Sequence, residues 1–183
     1  MKRIVLLTSS FPRFPGDPVV NFLKELARRL VQEDFRIEVV VPADRKPFEF
    51  PDEPGLIVRP FRYFFPRALQ SLAFGSGMPD NLRRGFLPIL QVPFFFLFFL
   101  IAAFRAAGRS DYIWAHWLVP AGLVGALLAR LRKKTLILTV HSGGLHLLKN
   151  VFGGSRLAAF IVKSAERVTT VNRDQAGLLR AIL

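Results

Sequence analysis

Apolar residues in this chain follow two spacings that alternate along its length. Short apolar runs at Arg3 to Thr8, Arg36 to Val41, Leu56 to Arg59, Asp111 to Ala115, Thr135 to Val140 and Arg167 to Val171 have the form of strands covered on both faces. Between them lie stretches with apolar positions at helical spacing. In Val19 to Gln32, for example, Phe22, Leu23, Leu26 and Leu30 fall on one face. Ala121 to Leu131, Leu157 to Ser164 and a terminal segment from Asp174 read as further helices. Strands alternating with helices predict an α/β fold, a Rossmann-like, doubly wound parallel sheet with helices on both faces. Phe61 to Arg84 is aromatic, basic and broken by Gly75, Gly77 and Pro79, so no regular element is predicted there. No repeat, heptad or low-complexity linker divides the chain, and one domain over residues 1–183 is expected.

One stretch departs from this rhythm. Phe94 to Phe104 is apolar on every side and is flanked by Arg83, Arg84, Arg105 and Arg109. The uncharged segment from Gly85 to Phe104 approaches the ~20 residues that span a bilayer, but Pro88, Gln91 and Pro93 interrupt it. Three readings stay open: a buried core helix, a helix lying in the membrane interface, and a span. A span would place the flanking strands on opposite sides of a membrane, against the strand-helix alternation that follows.

Composition narrows the partners. The chain is 51% hydrophobic over 183 residues, enough to build a sizeable core, and it has no cysteine, which excludes disulfides and thiolate metal sites. Met1-Lys2-Arg3 leads into an apolar run too short for a signal peptide, so a cytoplasmic location is expected. The net charge of +13 attracts polyanions. Its arginines are scattered rather than gathered on one helix or interleaved with aromatics, which disfavours nucleic acid and favours the anionic inner face of the cell membrane.

Candidate chemistry stands at three strand ends. Thr139-Val-His-Ser-Gly-Gly-Leu-His146 puts His141 and paired glycines directly after an apolar run, where doubly wound proteins bind ligands. His116 and Trp117 follow the Asp111 strand, and Thr8 to Asp17 forms a hydroxyl, proline and glycine loop after the first. Three such ends predict one shared crevice. Plainer roles stay open beside these: His141 as a turn cap, His116 as a packed neighbour of Trp114 and Trp117, His146 on a surface, Gly16 as a turn residue after Pro15. No metal site is expected, since no acidic residue stands at ligand spacing beside the three histidines. The Gly-x-Gly-x-x-Gly, Gly-Lys-Ser/Thr and Gly-x-Ser-x-Gly signatures of dinucleotide enzymes, NTPases and hydrolases are absent.

Five segments in order, Ser9 to Asp17, Asn21 to Ala27, Ala115 to Leu123, Leu138 to His146 and Ala165 to Asn172, resemble the N-terminal domain of family 4 glycosyltransferases. The resemblance implies one half of a GT-B architecture, the acceptor side of an enzyme that moves a sugar from a nucleotide-sugar donor to a lipid-linked or glycan acceptor, often at the cytoplasmic membrane. It implies no cofactor and no metal. His141 matches the family histidine that looks toward the transferred sugar and is the expected catalytic residue. Gly16 and Asp17 match the loop that meets the donor diphosphate, although Val20 stands where relatives often carry another glycine. His116 and Trp117 match a strand-end pair near the acceptor. Ser142, Gly143 and Gly144 stand where the family commonly has Gly-Ser-Asp, so the acidic residue is replaced at Gly144. The chain ends at Leu183 about where the interdomain linker would begin, so a donor-binding domain or subunit is the expected partner, without which no transfer is expected. The alternative is a non-catalytic Rossmann-like module that docks on a membrane or a partner.

Overall fold

In the computed structural model of the protein, residues 1–17, 19–44, 48, 53–73, 75 and 77–183 are described. Six strands, β1 (Lys2–Leu7), β2 (Phe35–Pro42), β3 (Leu56–Phe61), β4 (Tyr112–His116), β5 (Thr135–Val140) and β6 (Arg167–Thr170), form one parallel sheet in the order β3-β2-β1-β4-β5-β6. The helices are α1 (Asn21–Gln32), α2 (Met78–Arg83), α3 (Phe86–Ala107), α4 (Leu123–Arg132), α5 (Ser142–Lys149), α6 (Gly154–Ser164) and α7 (Arg173–Ile182). This strand order is that of a doubly wound Rossmann-like sheet, as the alternating pattern predicts.

Side-chain alternation along the strands divides the core in two. Val5 and Leu7 of β1, with Val40, Ile113, Ala115, Leu136 and Leu138, face a large core closed by α3, α4 and α6. Ile4 and Leu6, with Ile37, Val39 and Val41, face α1 through Leu23 and Ala27. Both faces are covered, which is why β1 reads as an unbroken apolar run. The cover is unequal. Beyond α1, Tyr112, Trp114 and Thr139 are only half-buried.

Three local expectations are corrected. Pro88, Gln91 and Pro93 read as interruptions of the apolar segment, but α3 runs unbroken through all three over 22 residues. Pro93 lies on the exposed face, where water can serve the carbonyl that proline leaves without a donor. The segment 61–84 is less irregular than its composition predicts; it holds a short turn at Arg67–Leu69 and α2, while positions 74 and 76 lie outside the described residues. Finally, the glycine-rich stretch after β5 is the first turn of α5 and not a loop.

The outer face of α3 bears on function. Phe95, Phe99 and Ala103 are fully buried against the sheet, whereas Phe86, Leu90, Phe94, Leu97, Ile101 and Phe104, spaced by three and four residues, form an exposed apolar stripe. By length and composition α3 is the one described helix apolar enough to cross a bilayer, with mean hydropathy 2.3. Its buried face shares the core of β1 and β4.

Candidate functional site

The order of the strands reverses between β1 and β4, so the chain leaves the carboxyl ends of these neighbours in opposite directions and opens a crevice there. His116 is the last residue of β4, and its imidazole is 1% exposed between Trp114 and Trp117, at ring distances of 5.2 and 6.3 Å. His141 follows β5 directly. It stacks on Trp117 at 4.6 Å, lies 5.5 Å from the Phe22 ring of α1, and brings its Nε2 to 3.3 Å from His116 Nδ1. Three sequence-distant segments thus converge on one histidine pair. Trp117 is held at φ 74, a backbone region costing a non-glycine residue about 1–3 kcal/mol. Its N–H donates to Thr139 O at 2.9 Å and its carbonyl accepts from Gly122 N at 3.0 Å, which fixes the ring over His141.

The pair has a defined polarity. His116 Nε2 is buried with no hydrogen-bond partner among the described residues. Leaving a lone pair there costs less than burying an unpartnered N–H, which favours the tautomer with the proton on Nδ1, donated to His141 Nε2. Neutral His141 then carries its own proton on Nδ1 and can donate from it. Burial, with a smaller contribution from His141, pushes the His116 pKa down to about 3, and burial also lowers that of His141.

A pH dependence follows from His116. Above the ordinary histidine value near 6.5 both folded and unfolded chains hold it neutral. Between about 6.5 and 3 mainly the unfolded chain takes up the proton, so stability falls as the pH is lowered through that window. Urea unfolding at pH 7, 5.5 and 4.5 is expected to show a fall that is reduced in His116→Phe. Parallel falls in both proteins would refute the assignment.

The first-strand loop is built differently. Asp17 is 2% exposed; its Oδ2 accepts from Arg13 Nε at 2.8 Å and Arg13 N at 3.1 Å, and its Oδ1 from Val19 N at 3.0 Å. Burial pushes the Asp17 carboxyl up, but these hydrogen bonds outweigh it and hold it below the usual range. Arg13 also pairs with Asp44 at 2.8 Å. The Asp17 carboxylate is therefore engaged in shaping the loop, and Gly16, at φ 85, is its exposed tip. Val20 adopts φ 55 just ahead of α1, the left-handed region in which a glycine would be unstrained.

Ser142 and Gly143 are exposed at the start of α5, while Gly144 is buried. A Cβ on Gly144 would lie 3.2 Å from the backbone nitrogens of Leu118 and Val119. Installing the acidic residue, Gly144→Asp, is thus expected to lower stability by about 1–3 kcal/mol, because the neighbours are backbone and cannot rotate away. An unchanged melting temperature would contradict this contact.

The structure therefore brings together His116, Trp117, His141, Ser142, Gly143 and Gly144, and sets Gly16 and Asp17 in the adjoining loop. His146 is exposed on α5. Phe22, predicted on the buried face of α1, is instead 50% exposed and lies against His141. A cavity of about 280 Å³ adjoins the pair, lined by Trp117, Pro120, Gly143 and Gly144 and by Leu82, Val92 and Phe96 from α2 and α3. The α2 and α3 residues carried no sequence signal beyond hydrophobicity. Among the described residues no group of three His, Asp or Glu is placed to hold a metal.

A parallel sheet with strand-end histidines at its switch point defines a Rossmann-like domain with a candidate ligand crevice. Residues 19–183 match the glycosyl transferase 4-like domain family, and the chain belongs to that family. Among solved structures it is similar to Alr3699/HepE of Anabaena, crystallised with UDP and glucose, at 17% identity and a TM-score of 0.58. That likeness covers 100% of this chain and 41% of the other, so the chain spans about two fifths of the length of this GT-B relative. A weaker likeness, to the calicheamicin glycosyltransferase CalG4, has 17% identity and a TM-score of 0.48, covering 89% of this chain and 43% of that one. No curated protein matches significantly.

Proposed function

We propose that this chain is the acceptor-side half of a GT-B glycosyltransferase, which transfers a sugar from a nucleotide-sugar donor to a lipid-linked or glycan acceptor. A donor-binding half, on the same or another polypeptide, supplies the nucleotide site. The observation that carries the reading is the His116–His141 pair at the β1/β4 switch point of a chain of this family. His141, the proposed catalytic residue, donates from Nδ1 to a hydroxyl or to an oxygen gaining negative charge. Trp117 orients it and offers an aromatic face to the acceptor. Ser142 and Gly143 present backbone N–H groups from the first turn of α5, and Gly16 and Asp17 shape the loop opposite. No metal or other cofactor has a role in this scheme.

The protein is proposed to work as a peripheral protein on the cytoplasmic face of the cell membrane. Support comes from the apolar stripe of α3, bounded by exposed Arg83 and Arg84 at one end and Arg105 and Arg109 at the other. Such a helix buries its stripe at the acyl boundary while the guanidinium groups meet anionic headgroups. Leu97 and Ile101 are exposed, so Leu97→Asp with Ile101→Asp is expected to weaken binding to vesicles containing anionic lipid at least tenfold without lowering the melting temperature. In the unaltered protein rising salt should weaken the binding, as the Debye length shrinks from about 10 Å at 0.1 M. Salt-independent binding to neutral vesicles would refute the proposal.

A second reading, a non-catalytic module that docks on a membrane or a partner, is favoured by Gly144, which replaces the family's acidic residue and where a Cβ would crowd the backbone nitrogens of Leu118 and Val119 at 3.2 Å. Transfer from a panel of nucleotide sugars, measured with and without a donor-binding half, decides between them. Product formed only with the donor half supports the transferase; none from folded protein in either mixture supports the module.

A further inference from the structure

The cavity beside the histidine pair has two unlike ends. Ser9, Ser10, Trp117 and Gly143 border it where the crevice opens, and Leu82, Val92 and Phe96 line it between α2 and α3. At about 280 Å³ it lies near the lower end of the roughly 300–1,000 Å³ of ligand clefts. Water gains few hydrogen bonds against such apolar walls, so the inner end favours an apolar guest.

The position of these walls on α3 identifies the guest. Val92 and Phe96 sit on the flank of the helix, between the face buried on the sheet and the exposed stripe. Ile89 and Pro93, both exposed, continue from that flank toward the stripe. Arg83 and Arg84, which form no ion pair with a described residue, stand immediately after the cavity residue Leu82. An amphiphile in the cavity would lay its chain against Leu82, Val92 and Phe96 and its hydroxyl-bearing part at the mouth bordered by Ser9, Ser10 and Gly143.

We propose that the cavity holds a single alkyl or isoprenoid chain of the acceptor, extending from the α2–α3 end toward the histidine pair, where the acceptor hydroxyl is presented. This rests on the transferase reading above and deepens it, because it makes the acceptor an amphiphile whose chain is read by the protein. A glycan without a chain would leave the cavity empty and bind through the crevice mouth alone.

The test has two arms. The first needs no donor: 11-bromoundecanol, a brominated chain, is titrated below its micellar range while tryptophan emission is followed, since Trp117 borders the cavity. Saturable quenching is expected, weakened at least tenfold by Val92→Phe, which fills the cavity, and by Leu82→Gln, which makes its wall polar. Leu131→Asp, exposed on α4 and outside both the cavity and the α3 stripe, should leave quenching unchanged. Non-saturating quenching, or equal quenching in the folded Val92→Phe and Leu82→Gln proteins, overturns the proposal. The second arm adds the donor half and compares decyl and methyl glycosides as acceptors. Val92→Phe is expected to raise KM at least tenfold for the decyl compound only. Equal KM values for the two acceptors would overturn the chain site and leave the transferase standing. Absence of transfer to either would overturn the transferase and, with it, the acceptor role of the site.

Discussion

His141→Ala is expected to lower kcat/KM for glycosyl transfer by about 10²–10⁴-fold, the range for loss of a positioned proton donor or acceptor, while the fold persists. The side chain is only half-buried, so its removal leaves no closed cavity in the core, and the backbone of β5 is secured by pairing to β4 and β6. What disappears is a donor whose direction three neighbours specify: Trp117 stacked on one side, Phe22 packed close by, and His116 Nδ1 engaging Nε2. His141→Asn, which retains a short N–H donor, should recover part of the loss. His116→Phe keeps the aromatic packing but removes the partner of Nε2; it should lower kcat by about tenfold and alter the pH profile, with little change in KM. Full activity in His141→Ala, measured with saturating donor half, would remove the histidine from the mechanism.

How far the sequence reveals this site can be judged residue by residue. His141 and His116 were legible because each ends a short apolar run, and in a parallel sheet a strand's end is also where the crevice lies. Their mutual contact was not legible, because β4 and β5 are separated by α4 and only the pairing of His116 with Thr139 brings their ends side by side. Asp17 was legible as a loop residue but not as the buried acceptor of Arg13 and Val19, with Arg13 reaching on to Asp44, an arrangement that depends on burial. The segment 61–84 was hidden for another reason. Its backbone is satisfied by buried amide side chains: Gln70 Oε1 accepts from Tyr63 N, Gln91 Oε1 from Ser71 N and Leu72 N, and Asn81 Nδ2 donates to Leu72 O. No periodicity records a structure held in that way. Gln91, read as an interruption of the apolar run, is fully buried and anchors this segment to α3.

Gly154→Ala should be the most damaging single-methyl addition to the fold, lowering stability by about 3–5 kcal/mol. Gly154 opens α6 immediately after Gly153, whose φ of 76 turns the chain sharply out of α5. At this junction a Cβ would fall 1.9 Å from the carbonyl oxygen of Leu148 and 2.8 Å from its carbonyl carbon. Both are backbone atoms of α5, so no rotamer change relieves the overlap, and α5 and α6 must move apart. That separation disrupts the core around Leu148, Ala158 and Ile161 and displaces α5, whose first residues adjoin His141. For a domain of this size the cost corresponds to a fall in Tm of about 6–20 °C. Gly177→Ala provides the contrast: it lies within α7, nothing stands within 4 Å of its added methyl, and the gain in helix propensity is up to about 1 kcal/mol. Thermal unfolding of the two variants should therefore move in opposite directions. Similar shifts would mean that α5 and α6 do not meet at Gly154 as closely as described, and the rigid link from that junction to His141 would be lost with it.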